Sequence, residues 1–431
     1  MDIATITAVM FGSMIVLLLL GLPLAFVTGL IAVVFALSLF GEAGLQLIAS
    51  RIYSFMNEYV LVSVPMFIMM GNVISRTGIA QDLFRAAYAY LGSVRGGLAL
   101  ATMVSCAGFG SVCGSSYATA ATMAKVAYPS MRRYGYSDGL AAATIAAGGT
   151  LGILIPPSII MVIYGIITQT NIGDLFIAGV LPGLLGLSLY MLAILWVAWR
   201  RPEEAPQGQR SSWSERISSL RGVWPFLFLF GIIIGGLYAK LFTATEAAGI
   251  AAGMSVLVAL FHGRLSLKVL RAVILETAYT SISLYVVLFG AMMLSKLLTM
   301  SGLSIGILDL LNSFGLSGYG LILAILVVFL VLGCVMDSLA IILIFVPLFA
   351  PVVAAQGFDL VWFGIIVVVV TEIALITPPV GMNVFVLKAV LPDVPVLRIF
   401  RGLAPFIAVD IARLGLLVAF PAISLWLVTR V

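Results

Sequence analysis

Gly148-Gly-Thr-Leu-Gly-Ile-Leu-Ile-Pro-Pro-Ser158 has a counterpart 222 residues further on, Thr371-Glu-Ile-Ala-Leu-Ile-Thr-Pro-Pro-Val-Gly-Met-Asn383. In each, an apolar helix runs into a Pro-Pro pair. The match widens outward to Gly110 through Gly165 and Gly333 through Lys388, with Pro129 on Pro351, Gly135-Tyr136 on Gly357-Phe358, and Pro156-Pro157 on Pro378-Pro379. Proline carries no amide hydrogen, so Pro156 and Pro157 free carbonyls a turn earlier, near Gly152. In hydrocarbon each unpaired backbone group costs several kcal/mol, so interrupted helices persist only where they are buried or line a polar cavity. Two matched interruptions in two halves place a transporter binding site at the interface of an internal repeat.

Composition sets the class. Of 431 residues 63% are hydrophobic and 9% charged, and the mean hydropathy is +1.23, far from a soluble domain. The chain is expected to be an all-α polytopic membrane protein. Its net charge of +5 gathers in a few loops, the positive-inside signature, and points to the bilayer rather than to nucleic acid. Met1-Asp2 is not a basic leader segment, so the first apolar run is expected to stay as a span. Cys106, Cys113 and Cys334 lack metal-ligand spacing, and the single histidine, His262, lies in a polar loop. That pattern argues against a Cys/His metal centre and against a His-dependent hydrolase, and Gly315-Leu-Ser-Gly318 reads as a turn. No enzyme activity is expected. A Walker A pattern is missing too, so transport would draw on an ion gradient.

Apolar runs of crossing length, about 20 residues, fall at 4–20, 24–40, 58–77, a broken 136–169 and 175–199, then at 223–239, 244–261, 272–298, a broken 360–391 and 404–428. Each half has five. Between the third and fourth of each half, 96–131 and 318–352 read as re-entrant hairpins. The polar segment 200–222, with Arg200, Arg201, Arg210, Arg216 and Arg221, separates repeat 1–199 from repeat 223–431 and is expected in the cytoplasm. Five crossings per half makes the repeat inverted, with the hairpin tips converging near the midplane.

The breaks carry the candidate chemistry. At the first tip, Ser115, Ser116 and Thr119 offer hydroxyls where helix dipoles end, or are merely small packing residues. Hydroxyls with freed carbonyls suit Na⁺. At the second tip Asp337 aligns with Gly114 at an offset of 223, and Glu372 aligns with Thr150, so the acids are not part of the repeat. An ionisable group near the midplane costs about 3 kcal/mol and marks a functional position. Asp337 is the strongest candidate, to hold polar substrate groups, tether the hairpin or sense protons; it can also N-cap the following helix. Glu372 either serves the site or pairs with a basic side chain, and Asn383 follows the second break toward the same cavity. Lys125, Glu276, Lys296 and the pair Asp410 and Arg413 read as structural charges, and Trp196, Trp199, Trp224, Trp362 and Trp426 as interfacial anchors.

The series Gly-Leu-Pro-Leu-Ala-Phe (21–26), Pro-Met-Phe-Ile-Met-Met-Gly-Asn (65–72), Gly-Ser-Ser (114–116), Gly-Ile-Leu-Ile-Pro-Pro-Ser (152–158), Met-Asp-Ser (336–338) and Thr-Pro-Pro-Val-Gly-Met-Asn (377–383) resembles the large membrane subunit of tripartite ATP-independent periplasmic (TRAP) transporters, over nearly the whole chain. The resemblance implies a Na⁺-driven elevator-type importer of the bacterial inner membrane. It also implies a periplasmic substrate-binding protein, a separate small four-helix membrane subunit, and organic acids such as C4-dicarboxylates, sialic acid or other sugar acids as substrates. By the same resemblance one Na⁺ would sit among Cys113, Ser115, Ser116, Gly152, Ile155 and Pro157. A second would sit among Gly333, Asp337, Ala374, Thr377 and Val380, and the substrate would be met by Asp337, Ser115, Ser158, Asn383 and Glu372. Related chains often carry Ser where this one has Cys113, so a backbone contact is implied there. Outside this reading stand a stand-alone sodium/carboxylate symporter and a passive channel, which would want a continuous polar lining.

Overall fold

The computed structural model describes residues 3–302, 306, 315, 317–334 and 336–430, and these are predominantly helical. Met1-Asp2, Leu316 of the expected turn and Val335 of the second tip lie outside the described residues. In chain order the helices are α1 (Ile3–Leu19), α2 (Leu24–Met56), α3 (Ser63–Arg76, after a short 3-10 turn), α4 (Ile79–Leu91), α5 (Gly97–Cys113), α6 (Ser116–Val126), α7 (Tyr128–Arg133), α8 (Asp138–Leu154), α9 (Ile159–Thr168) and α10 (Ile172–Arg200). After the linker come α11 (Trp213–Tyr238), α12 (Ala244–Phe261), α13 (Leu267–Met300), α14 (Tyr319–Gly333), α15 (Ser338–Ala355), α16 (Leu360–Ile376), α17 (Met382–Val390), α18 (Val396–Ala419) and α19 (Ala422–Leu425).

Local chemistry explains where these helices begin. Ser137 accepts from the Leu140 amide at the start of α8, and 222 residues on Asp359 accepts from the Val361 and Trp362 amides at the start of α16. Each cap satisfies amides that the helix itself leaves unpaired, worth about 1 kcal/mol. Thr243 and Glu246 form a reciprocal capping box on α12.

Two packed groups emerge. In one, α2 lies along α13, α3 packs on α12 and α13, and α4 packs on α11. Arg76 pairs with Glu276 at 2.6 Å, Arg264 with Asp82 at 2.6 Å, and Asn72 donates to Thr277 at 3.0 Å across it. The other group centres on α8 and α16, whose residues Gly139–Leu154 and Trp362–Ile376 are all buried. Around them stand α5, α6, α10, α14, α15 and α18. The outer helices expose long apolar side chains, among them Leu192, Leu227, Leu257, Ile282 and Ile411. Such a continuous apolar surface belongs in lipid.

Among the described residues eight helices are long and apolar enough to cross a membrane, or nine if α8 and α9, bent by 42°, count as one. The ten expected crossings all coincide with helices, though α1 and α16 have only 17 residues. α15, an arm of the second expected hairpin, is itself one of the eight. Several expected boundaries move. α2 continues beyond 40, through a kink at Gly41 (φ 61°) that admits little but glycine. The linker 200–222 is shorter than expected, because Ser212 and Glu215 form a capping box that starts α11 at Trp213. The last long helix stops at Ala419 rather than 428, just before Pro421. Trp362 is not an interfacial anchor: it is fully buried and its indole donates to the Leu417 carbonyl at 2.8 Å.

Candidate functional site

The two hairpin tips are built alike. Gly114, with φ 64°, ends α5, and Ser115 caps α6 by accepting from the Ala118 amide at 3.3 Å. In the second half Asp337 caps α15 by accepting from the Ala340 amide at 2.6 Å. Asp337 therefore stands in the place of Ser115 at the common offset of 222, which corrects its expected pairing with Gly114. The slip of one residue falls inside the tip: before it, Gly110 corresponds to Gly333 at 223, and after it Ser116 corresponds to Ser338 at 222. The left-handed Gly114 is the extra residue. The N-cap bond occupies only part of the Asp337 carboxylate, which keeps free lone pairs.

Both tips line one cavity of about 160 Å³, open on the side where Thr280 is exposed. Four pairs of lining residues are related by the offset of 222: Ser115 and Asp337, Ser116 and Ser338, Tyr117 and Leu339, Ile153 and Leu375. Ile68 of α3 and Thr280 and Leu284 of α13 close the wall from the other helix group. The hydroxyls of Tyr117 and Ser338 are buried there without a hydrogen-bond partner among the described residues. Buried polar atoms left open in this way are costly. Sequence reasoning misses Tyr117, Ser338 and Thr280; Tyr117 and Ser338 directly follow the small residues of the tips, whereas nothing local marks Thr280.

The breaks lie beside the tips. α8 ends at Leu154, Ile155 is extended, and the Pro156-Pro157 bond is cis, as is Pro378-Pro379 after the extended Thr377. Neither Pro156 nor Pro157 can return an amide to Gly152 or Ile153, and Pro379 returns none to Leu375. The Ala374 carbonyl, by contrast, accepts from the Thr377 amide at 3.3 Å. Gly110 and Gly152 touch so closely that a Cβ on Gly110 would lie 2.7 Å from Gly152 Cα, and a Cβ on Gly333 would collide with that of Ala374. Cys334 Sγ reaches the Pro378 carbonyl at 3.5 Å. Of the expected ion ligands, Gly152 thus lies against Gly110 of the first hairpin and Ala374 against Gly333 of the second, while Ile155 packs toward Gly183 of α10. The first Pro-Pro pair is buried and the second exposed.

Other expected contacts are placed elsewhere. Ser158 is wholly buried as the cap of α9, accepting from the Met161 amide at 3.3 Å, and does not line the cavity. Asn383 is also buried outside it, donating to Ser116 Oγ at 2.6 Å and to the Ala146 carbonyl at 3.1 Å. Glu372 is in neither tip: Arg413 Nη2 meets its Oε2 at 2.6 Å and Asp410 Oδ1 at 3.0 Å. Tyr190 donates to Asp410 Oδ2, and Thr150 Oγ1 lies 3.5 Å from Tyr190 Oη. The three charged side chains are at most 1% exposed. Asp410 and Arg413 are thus more than a helix-face pair, because with Glu372 they bind α16 to α18 in the interior. Gly186 of α10 makes the room, since a Cβ there would strike Arg413 Nη1.

The sequence comparison decides the family. Residues 11–423 match the model described as "Tripartite ATP-independent periplasmic transporter, DctM component". The chain belongs to this TRAP transporter family. It is 38% identical to the C4-dicarboxylate TRAP transporter large permease protein DctM of Pseudomonas aeruginosa, over 90% of each chain. It is 34% identical to the ectoine TRAP transporter large permease protein TeaC of Halomonas elongata, over 98% of each. A solved structure of the Alcanivorax borkumensis YdaH transporter is similar with a TM-score of 0.62, covering 89% of this chain and 90% of that one at 14% identity, a likeness of fold. The chain is accordingly a multi-pass TRAP large permease.

Proposed function

We propose that this TRAP permease is a Na⁺-coupled importer subunit of the inner membrane that moves a small organic acid delivered by a periplasmic substrate-binding protein. The acid would be of the dicarboxylate, sialic acid or other sugar acid class, and a separate small four-helix subunit would complete the complex. The observation that carries the reading is the cavity lined in repeat-related pairs by both tips, with hydroxyls left unpartnered. A site on an internal repeat can be offered to either side with little change in its lining, which is what alternating access requires. In this reading the halves are inverted, the two hairpins are re-entrant, and the group around α8 and α16 moves against the group around α3 and α13 like an elevator. Na⁺ is a co-transported substrate, one ion held at the first tip by Ser115, Ser116 and the freed Gly152 carbonyl, another at the second tip by Asp337 and the Thr377 region.

Uptake of labelled organic acids into proteoliposomes tests this, with and without a Na⁺ gradient and the cognate binding protein. Uptake that needs both is expected. Downhill flux needing neither would overturn the proposal in favour of a channel, and uptake with Na⁺ alone would favour a stand-alone symporter.

A further inference from the structure

On the side of the molecule that carries the linker, α8, α10 and α18 enclose a cleft of about 540 Å³. Its mouth holds Arg200 and Arg201 at the end of α10 and Arg401 near the start of α18. A second cleft of about 530 Å³ shares Arg201 and Arg401 with it and adds Arg132 and Arg398. Arg201 is neutralised by Glu204 at 3.1 Å, and Arg398 stands 3.8 Å from Asp138. Arg132, Arg200 and Arg401 form no ion pair among the described residues and are exposed. Below this mouth the wall turns apolar: Val197 on one side, Ala404, Pro405 and Ala408 on the other. Ala408 is seven residues beyond Arg401, about 10 Å deeper along the helix. Exposed Trp196 lies against the mouth, with the Arg200 guanidinium 5.5 Å from its ring centroid.

Ordinary positive-inside bias explains arginines in this layer, but not their convergence on a cleft whose floor is an apolar groove between two helices. We infer that this cleft is a binding site for an anionic glycerophospholipid. The phosphate would be gripped by the unpaired guanidinium groups, whose planar forks suit phosphate oxygens, and one acyl chain would lie along the groove to Ala408. A free phosphate would use the arginines but leave the groove empty. The lipid would sit where α10 and α18 meet, against the start of α8.

Native mass spectrometry of the purified full-length chain, with mixed phosphatidylglycerol and phosphatidylcholine, tests the site. One phosphatidylglycerol is expected to be retained in preference to phosphatidylcholine. Arg132→Gln, Arg200→Gln and Arg401→Gln together should weaken that binding by about tenfold or more. Removing the same charge elsewhere, by Arg133→Gln, Lys268→Gln and Arg271→Gln, should leave it unchanged. Ala408→Trp alters no charge and blocks the groove, so it should also displace the lipid, and it serves if the triple variant does not fold. Equal loss in both triple variants, retention in Ala408→Trp, or equal protection by inorganic phosphate would overturn the inference.

Discussion

At the tip of the second hairpin one residue sets the halves apart. Ser115 and Asp337 occupy the same capping position and make the same bond to the third amide of their helix, yet only one brings a charge to the shared cavity. Asp337→Asn isolates that charge, because Asn caps a helix about as well as Asp. Its thermal unfolding is expected to stay within about 1 kcal/mol of the parent while initial uptake drops by about tenfold, the scale of one lost charge-assisted contact. Parental uptake kinetics in that variant would remove Asp337 from the site. Ser115→Ala with Ser116→Ala should raise the Na⁺ concentration for half-maximal uptake by a similar factor, read from a Na⁺ titration in proteoliposomes; an unaltered midpoint would leave the first tip a packing element only. Asp337 was legible in sequence because a carboxylate inside an apolar run is conspicuous. Its true counterpart was not, since a one-residue slip within a Gly/Ser tip leaves no trace in composition.

Between elements the decisive contact is backbone against backbone. Gly110 and Gly152 let the first hairpin lie directly on its broken helix, and in the second half Gly333 accepts the methyl group of Ala374. Gly152→Ala and Gly333→Ala are each expected to destabilise the folded chain by about 1–3 kcal/mol through overpacking, measured as a lowered melting temperature in detergent. A melting curve unmoved in both would mean that the hairpins are free to shift. The spans were legible because an apolar run of crossing length has few alternatives, and the Pro-Pro pairs announced the breaks. α4 escaped notice: with 13 residues it is too short to read as a crossing, and its apolar face becomes apparent only against α5 and α11. The start of α11 was hidden likewise, since Arg216 and Arg221 made a capped helix look like loop.

For the molecule as a whole, the interior charges fasten helices that are far apart in sequence. Glu372 and Arg413 are 41 residues apart, and Asp410 and Tyr190 are 220 apart. No spacing rule connects such positions, so the network was invisible in the sequence although each charge was not. Arg413→Ala strands two buried carboxylates and is expected to cost about 3–5 kcal/mol, enough to abolish recovery of folded protein. Glu372→Gln keeps a hydrogen-bond acceptor for the guanidinium and should fold with a far smaller loss. Size-exclusion profiles of the two variants check this, and the reverse order would contradict a structural role for the network. Asn383 carries a different consequence. It follows the second break by only a few residues, yet its amide grips Ser116 at the first tip. In the proposed reading it is a one-residue relay between two ion pockets, and occupancy of either then biases the other by the same coupling free energy. Sodium would therefore be taken up cooperatively, and Asn383→Ala should lower the Hill coefficient of Na⁺-dependent uptake toward one.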